Sequence, residues 1–352
     1  MADSYAGASR TETVVAIQYL RAVAAGLIAF QHAMGIPAFV HYTAHFGTVG
    51  VDLFFVISGF IMWTTTERSK RGAVQFWLAR IVRVVPLYWL FTTIYVAAAL
   101  VTPKSFYAVH LEAAHIIKSY LFVPAMHPNL GLIAPVYTLG WTLNYEMFFY
   151  LLFGCCLFVP WPRTRIALLA TAFVLLVAGG LLAQPQSVVP RTYTDPIMLE
   201  FLAGVMLAIV SPVLMRCGTL AGLALITAAI LWVAVVYGSG FVPERIVSHG
   251  IPAVIAVAGA LMIEPAARAR PSRFWLMLGD ASYSIYLAHP FAQRILLIGV
   301  NRTIGVGAIA PTLYVLTALT VGIAGGVICH FVIERPLLIA GRRLIGRTQP
   351  TR

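Results

Sequence analysis

Long apolar runs follow one another along this chain. Ten of them lie near positions 14–34, 47–66, 84–101, 138–160, 166–183, 196–212, 219–237, 246–264, 277–299 and 308–333. Each is close to the roughly 17–25 residues that carry a helix across a bilayer. The pattern predicts an all-α, polytopic integral membrane helix bundle of about ten transmembrane helices. Three segments follow: a polar N-terminal segment at 1–13, a transmembrane domain at 14–334 and a basic tail at 335–352. The first run carries Arg21 and is followed by no good cleavage site, so it reads as a retained helix rather than a signal peptide. The longest connection, 102–137, is rich in Pro, His and aromatic residues, among them Pro103, Pro124, His127, Pro128 and Pro135. A connection of that length is more often functional or partly ordered than idle. No strong internal repeat is visible, which withholds support from an inverted-repeat transporter.

Composition agrees with a lipid solvent. Charged residues make up 10% of the chain and hydrophobic residues 60%, and the mean hydropathy is +0.88. A soluble protein carries about 25% charged residues, and a disordered one is poorer still in apolar residues. The formal net charge of +12 invites a nucleic-acid reading, but the basic residues sit in short clusters between apolar runs, which is how membrane proteins set their orientation. With the N-terminus inside, the inner segments hold Arg10, then Arg68, Lys70, Arg71, Arg80 and Arg83, then Arg163, Arg165, Arg216, Arg268, Arg270 and Arg273, and the tail adds Arg335, Arg342, Arg343, Arg347 and Arg352. The outer connections hold scattered charges: Lys104, Lys118, Arg191, Arg245, Arg294 and Arg302. Both termini are therefore expected in the cytoplasm. The four cysteines, Cys155, Cys156, Cys217 and Cys329, fall in or beside apolar runs and read as small buried hydrophobes, with no disulfide or metal motif.

Ionisable groups inside spans are costly and usually functional. Arg21 and His32 share the first run, eleven residues apart. That is about three turns and roughly 16 Å, so they lie on one face. They are either polar groups paired within the bundle or the lining of a path. Asp52, in the stretch Gly50, Val51, Asp52, Leu53, Phe54, Phe55, either caps its helix or stands beside His32 and orients it. Arg80 and Arg83 form either an orienting cluster or a fork for phosphate. Glu146, preceded by Trp141 and Asn144, enters its run to about the depth of His32 and Asp52. Ser282, Tyr286 and His289 share one helix face, as helix glue or as part of a site. Glu334, followed by Arg335 and Pro336, reads as an interfacial salt bridge.

Taken in order, these motifs cover nearly the whole chain, and the chain resembles the acyltransferase 3 family of membrane-bound acyltransferases. Within that family it is similar to exopolysaccharide O-acetyltransferases. The resemblance implies an enzyme moving an acyl group, acetyl foremost, from cytoplasmic acyl-CoA to a hydroxyl of a cell-surface or exported polysaccharide. Acetyl-CoA is then a co-substrate, with no bound cofactor, no metal and no nucleic acid. The acceptor is a polysaccharide or lipid-linked glycan, membrane lipid surrounds the protein, and the location is the bacterial inner membrane. The extra esterase-like domain of some members is not expected. On this reading His32 is general base toward the acceptor, or takes the acyl group covalently. Asp52 or Glu146 orients it. Arg80 and Arg83 hold donor phosphates, and Arg21 holds the donor or counters charge along its path. Asn144, Tyr286 and His289 contact the acceptor or the thioester oxyanion. The competing class is a transporter or exporter of a lipid-linked glycan or small metabolite, and a non-catalytic membrane scaffold is a third.

Overall fold

The computed structural model describes residues 14–35, 45–69, 72–101 and 111–347. The expected segment 1–13, the charges Lys70, Arg71 and Lys104, and the end of the tail from 348 lie outside the described residues. The described residues form fourteen α-helices and no strand. We number them α1 (Val15–Met34), α2 (Val49–Ser69), α3 (Ala73–Val101), α4 (Ala113–Tyr120), α5 (Trp141–Cys156), α6 (Pro162–Ala183), α7 (Val188–Tyr193), α8 (Met198–Leu214), α9 (Thr219–Gly238), α10 (Ile251–Ala269), α11 (Arg273–Asp280), α12 (Ser282–Thr303), α13 (Pro311–Cys329) and α14 (Arg335–Arg347). Single π turns, Ile246–Gly250 and His330–Glu334, lead into α10 and α14.

Seven helical stretches among the described residues are long and apolar enough to cross a membrane: Phe46–Ser69, Ala73–Val101, Pro162–Ala183, Val188–Leu214, Thr219–Gly238, Ile246–Ala269 and Pro311–Ile345. The sequence predicted about ten. The three remaining runs are helical as well, but each departs from a plain apolar span. Helix α5 has 16 residues, about 24 Å at a rise of about 1.5 Å per residue. Helix α1 carries Gln18, Arg21, Gln31 and His32, and α12 carries Ser282, Ser284, His289, Gln293 and Arg294. These are the helices that bear most of the candidate site residues. Large apolar side chains such as Leu100, Leu182, Leu220, Val235 and Leu313 stay exposed, as a lipid-facing surface requires. Of the cysteines expected to be buried, Cys329 is, whereas Cys155 and Cys217 are exposed.

The chain forms two compact units, Met1–Ile61 with Ala203–Ile328, and Met62–Leu202 with Cys329–Arg352. In the first, α1 packs against α10, α11 and α12. Its N-terminus is held by a side chain from α10: the Glu264 carboxylate accepts from Val15 N at 3.1 Å and Ala16 N at 2.7 Å, and also from Arg268 Nε at 2.9 Å. A carboxylate at a helix N-terminus satisfies free N–H groups and opposes the dipole. Helix α8 crosses α2 at Gly204, where a Cβ would stand 2.8 Å from Phe60 N and closer still to Val56 O.

In the second unit α3 packs against α4, α5 and α14. Phe149 of α5 stacks on Phe201 at 4.5 Å and leans on Phe153 and Phe173. The described part of the long connection, residues 111–137, packs on the second unit's helices. Helix α4 is tied to α3 by Tyr88 Oη donating to Ser119 O at 3.1 Å, and the Ser119 hydroxyl accepts from Val136 N at 2.9 Å. His115 and His127 are both buried there, ring centroids 5.3 Å apart. Burial holds both below the ordinary imidazole pKa. For His115 the neighbouring His127 adds to this and Glu112 opposes it.

Candidate active site

Helices α1 and α12 are laced along one face of each. Arg21 donates to Gln18 Oε1 at 2.8 Å and to Ser282 Oγ at 2.9 Å. Further along, Gln293 Nε2 donates to Ala29 O at 2.8 Å, so the two helices run the same way. Beside the second of these contacts His32 meets His289, with His32 Nδ1 3.1 Å from His289 Nε2 and the ring centroids 5.0 Å apart. Each Nδ1 also lies near the carbonyl one turn back: His32 Nδ1 2.9 Å from Ile28 O, and His289 Nδ1 2.8 Å from Ile285 O. His289 is fully buried, whereas His32 is exposed between buried Gln31 and Ala33. Tyr286, one turn before His289, is buried edge-on to Phe54 at 6.2 Å. The shared faces inferred from residue spacing are thus real: Arg21 and His32 both reach α12, and Ser282 and His289 both reach α1.

Asp52 has a different partner from the one the sequence offered. It is fully buried in the first turn of α2, and both of its oxygens accept from Arg245, at 3.0 Å from Nε and 2.7 Å from Nη2. This planar fork is the strong geometry for an ion pair. Arg245 stands just before the π turn Ile246–Gly250. In that turn His249 Nε2 lies 2.8 Å from Thr48 Oγ1 and 2.9 Å from Tyr237 Oη, and His249 Nδ1 lies 2.6 Å from Ser248 Oγ. π turns of this kind often mark functional sites. Sequence reasoning counted Arg245 only as an orienting charge and passed over His249, Tyr237 and Thr48. The available signal was a conjunction: Glu244 and Arg245 followed two residues later by Ser248 and His249, at the mouth of an apolar run.

The second unit groups the other candidates. Arg83 of α3 pairs with Glu334, whose other oxygen lies 2.7 Å from His330 Nδ1. The salt bridge expected of Glu334 is present, and Glu334 is buried rather than interfacial. The Arg80 guanidinium lies over the rings of Phe76 and Tyr150, 5.8 and 6.0 Å from their centroids. The Tyr150 hydroxyl donates to Glu146. Glu146 therefore joins the arginine cluster through a partner one turn away on its own helix. Asn144 is buried and its carboxamide oxygen has no hydrogen-bond partner. Among the described residues no three His, Cys, Asp or Glu converge as metal ligands would.

The first unit thus holds an exposed histidine beside a second, buried one, and the second unit holds arginines in a polar cluster of their own. Residues 14–331 match the acyltransferase 3 family, described as an acyltransferase domain, and the chain belongs to that family of acyltransferases. It is 38% identical over 313 residues to the exopolysaccharide production protein ExoZ of Rhizobium meliloti (strain 1021), covering 86% of this chain and 92% of that one. It is 27% identical over 353 residues to the acyltransferase MdmB of Streptomyces mycarofaciens, covering 89% and 85%. It is 28% identical over 305 residues to the peptidoglycan O-acetyltransferase OatA of Listeria monocytogenes, covering 73% of this chain and 47% of that one. No solved structure matches the chain.

Proposed function

We propose that the protein O-acetylates a polysaccharide, drawing acetyl groups from cytoplasmic acetyl-CoA and delivering them to a glycan hydroxyl at the outer face of the bacterial inner membrane, with both chain termini in the cytoplasm. The observation that carries the reading is the exposed imidazole of His32, held at one nitrogen by buried His289. Similarity to an exopolysaccharide production protein and to a peptidoglycan O-acetyltransferase supports a glycan acceptor.

In this mechanism the acceptor hydroxyl loses its proton to His32 while its oxygen bonds to the acyl carbon. The carbon–sulfur bond of the thioester then breaks, and the proton passes from the imidazolium to the departing thiolate. Neutral imidazole suits this task near physiological pH. Arg80, on its bed of Phe76 and Tyr150, and Arg83 hold the anionic end of the donor, a use for which guanidinium is suited. Because Glu334 engages Arg83, a phosphate there shares the arginine or displaces the carboxylate. Arg21 fixes α1 to α12 through Ser282, and Asp52 fixes α2 to the π turn through Arg245. Tyr286 or Asn144 donates to the developing oxyanion, a role commonly worth a few kcal/mol. The ring nitrogen of His32 that His289 does not hold also serves a covalent acyl-histidine route.

Mass spectrometry of the surface polysaccharide with and without this gene tests the proposal. Loss of one acyl unit per modified residue is expected on deletion, restored by the wild-type gene and not by His32→Ala. Identical acyl content with and without the gene refutes it.

A further inference from the structure

We infer that His289 is a positioning residue that fixes the tautomer of His32 and leaves Nε2 of His32 as the reactive nitrogen; this rests on the proposed role of His32. Both rings are tied to carbonyl oxygens, which only accept. Ile285 O lies 2.8 Å from His289 Nδ1, so that nitrogen carries its hydrogen. A neutral imidazole has one N–H, so His289 Nε2 presents a lone pair. Ile28 O lies 2.9 Å from His32 Nδ1, so His32 also carries its hydrogen on Nδ1, and shares it with His289 Nε2 at 3.1 Å. The reverse tautomers would set a nitrogen lone pair against each carbonyl. Hydrogens on both facing nitrogens would meet head to head. The lone pair left on His32 is on Nε2, and no described residue hydrogen-bonds to it.

A catalytic imidazole is commonly aimed by a carboxylate. A buried carboxylate needs a counter-ion of its own, whereas His289 supplies an acceptor without a charge. The residue is held firmly. Its own Nδ1 is anchored, Gln293 on the same face grips Ala29 O, and α13 closes over it at Gly322, where a Cβ would stand 3.2 Å from His289 Cβ and 3.1 Å from Gln293 Nε2. Direction is thus passed from the Ile285 carbonyl through two rings to Nε2 of His32.

The test uses the full-length protein in proteoliposomes, with radiolabelled acetyl-CoA as donor and polysaccharide from a strain lacking the gene as acceptor. His289→Leu removes the acceptor nitrogen at similar volume, and kcat is expected to fall about 10- to 100-fold with KM for acetyl-CoA unchanged. His289→Gln, whose carboxamide oxygen can accept from His32 Nδ1, is expected to recover most of the loss. Nitrogen NMR of ring-labelled His32 should show a protonated Nδ1 and a bare Nε2 in the wild type. Wild-type kcat in His289→Leu, or a bare Nδ1 on wild-type His32, overturns the inference; the NMR result decides even if His289→Leu does not fold. If His32→Ala abolishes transfer while His289→Leu does not, only the role of His289 falls. If His32→Ala still transfers, the proposed mechanism falls with it.

Discussion

Replacing Arg245 by alanine leaves Asp52 as a buried carboxylate without its partner. Asp52 has a side chain with no exposure and accepts two bonds from Arg245, at 3.0 and 2.7 Å, while the arginine side chain keeps 34% exposure. The two sides of the pair are therefore unequal. Removing the arginine strands a charge in a dry place, at a cost of about 3–5 kcal/mol. Removing the charge with Asp52→Asn leaves a guanidinium that regains water, and loses a charged hydrogen bond worth about 1.5–3 kcal/mol. The double variant Asp52→Asn, Arg245→Ala leaves a neutral amide unsatisfied, at about 1–3 kcal/mol, and so is less damaged than Arg245→Ala alone. Thermal or SDS-induced unfolding in detergent, followed by size-exclusion fluorescence, ranks the three. The expected order of stability places Arg245→Ala last. If Asp52→Asn proves the more damaging single change, or if Arg245→Ala unfolds like the wild type, then the pair is not the buried anchor of α2 described above.

Three further outcomes follow from other contacts. Arg80→Ala, which empties the place over Phe76 and Tyr150, raises KM for acetyl-CoA about 10- to 100-fold, the equivalent of one charged hydrogen bond, with a smaller change in kcat; initial-rate kinetics read both, and an unchanged KM removes Arg80 from the donor site. Gly204→Ala drives a Cβ into the backbone of α2 at Val56 and Phe60, with a cost of about 1–3 kcal/mol visible as a lowered unfolding midpoint; a midpoint at the wild-type value refutes the close approach. His115 and His127 are held neutral by burial, below the ordinary value of 6.5. The unfolded chain then binds more protons than the folded one as pH falls through 6.5, so their contribution to stability is full above that pH and is lost progressively below it. Limited proteolysis of the 111–137 connection should accelerate on acidification, and less so in His115→Phe and His127→Phe; equal acid sensitivity in all three proteins contradicts this.

The helices were legible because their apolar length is a bulk property. Which runs depart from plain apolar spans was harder to read, because α1 and α12 carry polar groups toward each other and α5 is cut short. That Arg21 and His32 share one face of α1 was legible from spacing alone, since eleven residues return a helix almost to the same side. The partners were not. Arg245 stands 193 positions from Asp52, and Glu264 stands 248 from the helix end it caps at Ala16, and no local rule joins residues so far apart. Tyr150 was within reach of sequence reasoning, because it stands four residues from Glu146 on one helix face. The two π turns were beyond it, because a hydrophobic pattern read at 3.6 residues per turn assumes the extra residue away.

The lacing of α1 to α12 also bears on how the protein is made. Arg21, His32 and Ala29 find their partners 261, 257 and 264 positions later in the chain. At roughly 5–20 residues per second, about 13–50 s of synthesis separate them. Through that interval α1 carries an arginine that costs about 2.5–3.5 kcal/mol at the centre of a bilayer, with Gln18 as its local partner. Helix α1 therefore has reason to stay near the insertion machinery until α12 arrives. On the proposed mechanism, a nascent chain arrested before Ser282 holds His32 without the α12 ring that aims it.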